Sequence, residues 1–118
     1  MSERVSGEIV LPDGVAMPDR ATVRVRVEDV SRADGEAEVV GEDVQEDVEL
    51  PGPGGRLRFA VPLAHDHDPA GDYALRVHID VTGSGEVDLG DFVTTQRYPV
   101  FGRAAPGDME VAVKKVGP

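Results

Sequence analysis

The chain has 118 residues, no cysteine, and 23 acidic against 12 basic side chains, for a formal charge of −11. A chain of this length closes one hydrophobic core, so residues 1–118 read as a single domain, and the missing cysteines exclude a disulfide framework, a thiolate metal site and a thiol nucleophile. The charge repels phosphate backbones and anionic lipid, which sets nucleic acid aside as a partner, and no apolar run approaches the roughly 20 residues that membrane insertion as a helix requires.

Strands follow one another along the chain. Val5 to Leu11 is a short run rich in β-branched residues. Ala21, Val23, Val25 and Val27 alternate with Thr22, Arg24, Arg26 and Glu28, the period-two pattern of a half-buried strand. Ala37 to Val40 comes next, and the acidic stretch from Glu42 to Glu49, interrupted by Val44 and Val48, reads as an irregular edge strand. Leu57 to Val61 is followed by the longest alternation, Tyr73, Leu75, Val77, Ile79 and Val81 against Ala74, Arg76, His78, Asp80 and Thr82. Phe92 to Val100 and Met109 to Val116 complete a set of about seven strands.

Turns separate them at Pro12-Asp13-Gly14, Asp34-Gly35, Pro51 to Gly55, Ala70-Gly71-Asp72, Gly83-Ser84-Gly85 and Pro106-Gly107-Asp108, where glycine supplies positive φ and proline presets a bend. No segment of helical length carries apolar residues at three and four spacing without Gly or Pro. The expected fold is therefore all-β, a two-sheet antiparallel sandwich of immunoglobulin-like or transthyretin-like kind. Aromatic residues make up 4% of the chain, so Phe59, Tyr73, Phe92, Tyr98 and Phe101 are needed as core fillers and little bulk remains to line a deep pocket.

Three groups of residues invite a chemical reading. His65-Asp66-His67-Asp68 would place two imidazoles on one face of an extended chain, as a metal site requires; the competing reading is a solvated turn begun by Asp68-Pro69, and the absence of a neighbouring third ligand favours it. Asp80, Glu86, Asp88 and Asp91 with Gly83, Ser84 and Gly85 resemble a calcium loop only loosely, because the ligand register of such a loop is missing, and a solvated hairpin connection is expected. Arg24, Arg26 and Arg76 offer a cationic stripe for an acidic client, although cross-strand ion pairs are the simpler expectation in so acidic a chain. No nucleophile elbow occurs, and the glycines from Gly83 to Gly90 open no helix that would dock a phosphate. Metal, cofactor and catalytic residues are accordingly expected to be none.

One segment carries a family likeness. Leu11-Pro12, the run Asp29-Val30-Ser31-Arg32-Ala33-Asp34, Ala37 to Val40, Phe59-Ala60-Val61-Pro62-Leu63, Asp68-Pro69, Tyr73 to Val77 and Tyr98-Pro99-Val100 together resemble the YbaY/YscW lipoprotein family, which includes pilotin-like chaperones of type III secretion. The resemblance covers nearly the whole chain and implies a β-sandwich without catalytic residues, of a kind in which some members assist assembly of an outer-membrane secretin and most have no assigned activity; it carries over no functional residue. The Asp29 to Asp34 segment reads as a strand end entering a turn, with Ser31 and Asp34 able to bond backbone amides.

The family's lipid-bearing cysteine has no counterpart here. The expectation is a cytoplasmic interaction or chaperone-like module, or a periplasmic or envelope one if the chain is a processed fragment. It would bind a protein client by edge strands or loops, with pairing of two copies through an edge strand as the route to a homodimer. The alternative is a metal-binding protein or metal-dependent enzyme using the His65 to Asp68 loop.

Overall fold

The computed structural model describes residues 3–31, 35, 37–64, 66–101 and 109–117. Nine strands occur among them: β1 (Arg4–Val10), β2 (Arg20–Asp29), β3 (Glu38–Glu49), β4 (Arg56–Pro62), β5 (Tyr73–Asp80), β6 (Phe92–Val93), β7 (Tyr98–Val100), β8 (Met109–Ala112) and β9 (Lys114–Lys115). They form a three-stranded sheet in the order β4-β1-β8 and a six-stranded sheet in the order β3-β2-β5-β6-β9, with β7 also paired to β5. The all-β sandwich read from the sequence is thus the observed fold.

The alternating valines explain the core. Val23, Val25 and Val27 of β2 stand opposite Ile79, Val77 and Leu75 of β5, so one face of the large sheet is a continuous apolar surface. Ile9, Phe59, Val61 and Val111 of the small sheet are buried with them. Each such side chain removed fully from water contributes about 1.5–3 kcal/mol before the entropy of ordering it is subtracted. Phe59, Tyr73 and Phe92 are buried in this core as expected, while Tyr98 and Phe101 pack against it from the rim.

Two expected strands are each divided. Phe92 to Val100 is β6 and β7, which leave β5 between them at residues 94–97. Met109 to Val116 begins as β8 in the small sheet and continues as β9 in the large one. Val113 marks the crossing, buried and donating its amide to Val10 O at 3.3 Å. A second departure is that β8 runs parallel to β1, where a wholly antiparallel sandwich was expected. The Pro106-Gly107-Asp108 turn and Asp34 lie outside the described residues.

The acidic run does belong to an edge strand. β3 closes one side of the six-stranded sheet and its pairing with β2 shifts register twice, between Ala21 and Val23 and between Val27 and Glu28. Asp47 adopts a φ of 53° within it. Asp43 is in register with Val25, which puts a carboxylate on the face of the sheet that carries the core. Gly41 of β3 also forms an isolated bridge with Leu63, just beyond β4, supported by Ala64 N donating to Val40 O at 3.0 Å.

Candidate functional site

The outward face of the large sheet is set by the same register that builds the core. Arg26 lies directly opposite Arg76, and Arg24 opposite His78. Like charges facing one another across strands are unfavourable, and an acid flanks each of them. Arg26 Nε donates to Glu42 Oε2 at 2.7 Å, Arg76 Nε to Glu28 Oε1 at 2.6 Å, and Arg24 Nη2 lies 3.6 Å from Asp80 Oδ2. The ion pairs expected from the sequence are therefore present, and the arginines nevertheless form one cluster.

Two adjoining clefts lie over this cluster. The first, of about 360 Å³, is lined by Val30, Arg76, Thr94, Thr95, Gln96 and Arg97 together with Ala74 and Leu75. The second, of about 210 Å³, is lined by Arg24, Arg26, Arg76, His78, Val87 and Val93, with Val77, Gly85 and Thr94. Arg76 and Thr94 belong to both. The first cleft exists because residues 94–97 leave the sheet between β6 and β7; Thr94 holds that departure, donating its amide to Val77 O at 3.2 Å and accepting from Val77 N at 3.3 Å through Oγ1. Among the described residues no carboxylate lines either cleft. Arg24 Nε is buried without a hydrogen-bond partner, and exposed Arg97 has no ion pair among the described residues.

The wall of the second cleft is the 83–90 loop, and buried acids hold it. Asp80 accepts amides of Gly83 at 2.8 Å and Gly85 at 2.9 Å; Asp91 accepts those of Val81 at 2.8 Å and Asp88 at 2.9 Å. His78 Nε2 lies 2.8 Å from Asp91 Oδ2. Gly83 and Gly85 have φ of 77° and 86°, a conformation open to glycine at no steric cost, so both amides can turn back onto one carboxylate. The connection is solvated as expected from Thr82 to Val87, but the aspartates at its two ends are not: Asp80 and Asp91 are 1% and 0% exposed. Burial opposes ionisation of Asp80, but the Gly85 and Gly83 amides, His78 and Arg24 together lower its pKa. Hydrogen bonds from Ser84 and Thr82 lower that of Asp88.

His78, Asp80 and Asp91 bring ligand atoms within 4.8 Å of one another, so by spacing they form the nearest approach to a metal-binding set among the described residues. Their oxygens are spent on four backbone amides, Arg24 and His78, which makes the arrangement a loop anchor.

The Asp66 to Asp68 stretch leads into a turn. His65, and with it the His-x-His pair, lies outside the described residues, and residues 66–68 are not part of a strand. Asp68 Oδ1 accepts from Ala70 N at 2.9 Å and Asp68 O from Gly71 N at 2.9 Å, the turn that Asp68-Pro69 implied. His67 Nδ1 faces Glu3 Oε2 at 2.8 Å, and its ring stacks on Phe101 at 4.1 Å with Tyr73 edge-on at 6.0 Å. A hydrogen bond from the His67 backbone amide leads the effects that lower the Glu3 pKa. Farther along the same end, Ser31 Oγ accepts from Asp72 N at 2.8 Å, so this part of the Asp29 to Asp34 segment does bond a backbone amide.

Comparison with known proteins bears on what such a surface is for. The family model described as type III secretion system lipoprotein chaperone (YscW) matches residues 1–113. Among solved structures, that of an alternative pilotin from the type II secretion system of Vibrio cholerae superposes with a TM-score of 0.75 at 22% identity, covering 100% of both chains. That degree of identity establishes a shared fold. No match is found among curated proteins.

Proposed function

Because the chain belongs to the YscW family of type III secretion system lipoprotein chaperones, we propose that it is a non-catalytic chaperone domain that holds a protein component of a secretion assembly on the outer face of its six-stranded sheet. The client lies between the 83–90 loop and the 94–97 segment, and the work is done at the cell envelope.

The observation that supports this reading is the pair of clefts joined at Arg76 and Thr94. They combine arginine side chains with Val30, Val87 and Val93, and Val87 is 56% exposed. Arginine set beside small apolar groups supplies both directional hydrogen bonds and area to remove from water, the mixture found where proteins recognise proteins. The edges are less inviting: β3 carries two register shifts and a core-facing carboxylate, devices that discourage strand addition.

The test is site-specific photocrosslinking in the native host. A photoreactive residue at Thr95 should give one crosslinked protein band that the same residue at Glu110, on the small sheet, does not. Equal labelling from both positions, or none from Thr95, would remove the proposal.

A further inference from the structure

We infer that the occupant of this cleft is an extended acidic peptide segment, whose carboxylates bind Arg26, Arg76 and Arg97; the inference rests on the docking reading above and specifies its chemistry.

Charge distribution is the first argument. Acids outnumber bases 23 to 12 along the chain, yet four arginines and a histidine line the two clefts and, among the described residues, no acid does. A surface chosen for solubility alone would place carboxylates there as it does elsewhere.

Crowding of like charge is the second. Arg26 and Arg76 face each other in register, each balanced only by an acid to its side. They are 45% and 64% exposed, so both guanidinium groups can turn toward a ligand without disturbing the core. Carboxylates between them would relieve the like-charge contact and accept the planar fork of donors that arginine presents. Arg97 lines the first cleft without an acid of its own among the described residues.

Shape is the third. The clefts follow β5 from Ala74 to His78, a rise of about 3.4 Å per residue, so their floor is roughly 14 Å long and suits about four residues of extended chain. An isolated phosphate would touch one end of it. Nucleic acid, although anionic, carries a far longer array of charges, which the chain's overall charge of −11 repels.

The test uses fluorescein-labelled hexaglutamate, with hexalysine and inorganic pyrophosphate as comparison probes, followed by anisotropy and calorimetry at about 50 mM NaCl, where charge screening is weak. Saturable binding of hexaglutamate is expected, with about tenfold weaker affinity in Arg26→Gln and Arg76→Gln and no change in Arg56→Gln on the small sheet. Glu28→Gln, which frees Arg76, should tighten it. Far-UV circular dichroism and urea midpoints verify that each variant is folded. Absence of saturable binding, equal loss in Arg56→Gln, or binding of pyrophosphate without hexaglutamate would overturn the inference. If Thr95 crosslinking to a client persists in that case, the docking reading stands with a different ligand chemistry; if crosslinking also fails, both fall.

Discussion

Gly7 of β1 lies against the backbone of Met109 in β8. The two are partners in the parallel pairing, and a Cβ at position 7 would lie 2.7 Å from Met109 N and closer still to its carbonyl oxygen. Neither contact can be relieved by rotating a side chain, since both atoms are main chain. Gly7→Ala is therefore expected to separate β8 from β1 and destabilise the fold by about 1–3 kcal/mol in urea denaturation. Gly52→Ala, where a Cβ would meet nothing within 4 Å, should leave the midpoint nearly unchanged.

Asp80 gives the fold a dependence on acid. Its pKa is lowered from 3.8 in the folded chain, so the anion's contribution to stability is complete above the unfolded value and disappears as pH falls through the lower folded one. Urea midpoints measured downward from pH 7 should fall steeply below about pH 4. Asp80→Asn should be less stable at pH 7 and show a shallower acid slope, because the Gly83 and Gly85 amides, which bond separate oxygens, are left with one neutral acceptor between them.

Asp43 places a carboxylate on the core-facing side of an edge strand. With the two register shifts of β3 and its exposed acids, it opposes the pairing of two copies that a free edge invites. The wild-type chain is expected to remain monomeric in light scattering at low salt, and Asp43→Val to show a mass that rises with concentration. A wild-type dimer that Asp43→Val leaves unaltered would place the self-contact elsewhere.

Phe101 combines a φ of 63° with a ring stacked on His67. Loss of the stack in Phe101→Ala should cost about 1–3 kcal/mol. Phe101→Gly, which loses the same ring but relieves the left-handed backbone, should be the more stable variant of the two by about 1 kcal/mol. The usual order of alanine above glycine would show that this backbone conformation is not kept.

Alternation made β2 and β5 legible, because each has one buried and one wet face and the side-chain period reports faces directly. The same property hid the divisions of the later strands. Val111 and Val113 are both buried, so the pattern runs on unbroken while the hydrogen-bond partner changes from β1 to β6. Period two records which way a side chain points and is silent about which strand lies alongside. The arginine cluster was half visible: Arg24, Arg26 and Arg76 stood out, but Arg97 and the clefts depend on where residues 94–97 leave the sheet, a long-range matter. The burial of Asp80 and Asp91 at the two ends of an otherwise exposed connection was not legible, because aspartate is rarely buried. The signal that identifies Asp80 is Gly83 and Gly85 following it, two amides free to fold back.

The parallel pairing of β1 with β8 joins the first strand of the chain to nearly its last. When the two ends are drawn apart, such neighbours slide past one another along their length, and the bonds between them are loaded together. An antiparallel pair in the same position would open one bond at a time. Once the two residues of β9 have peeled from β6, further tension meets this shared resistance. A load applied across β1 and β8 is thus shared by several hydrogen bonds at once.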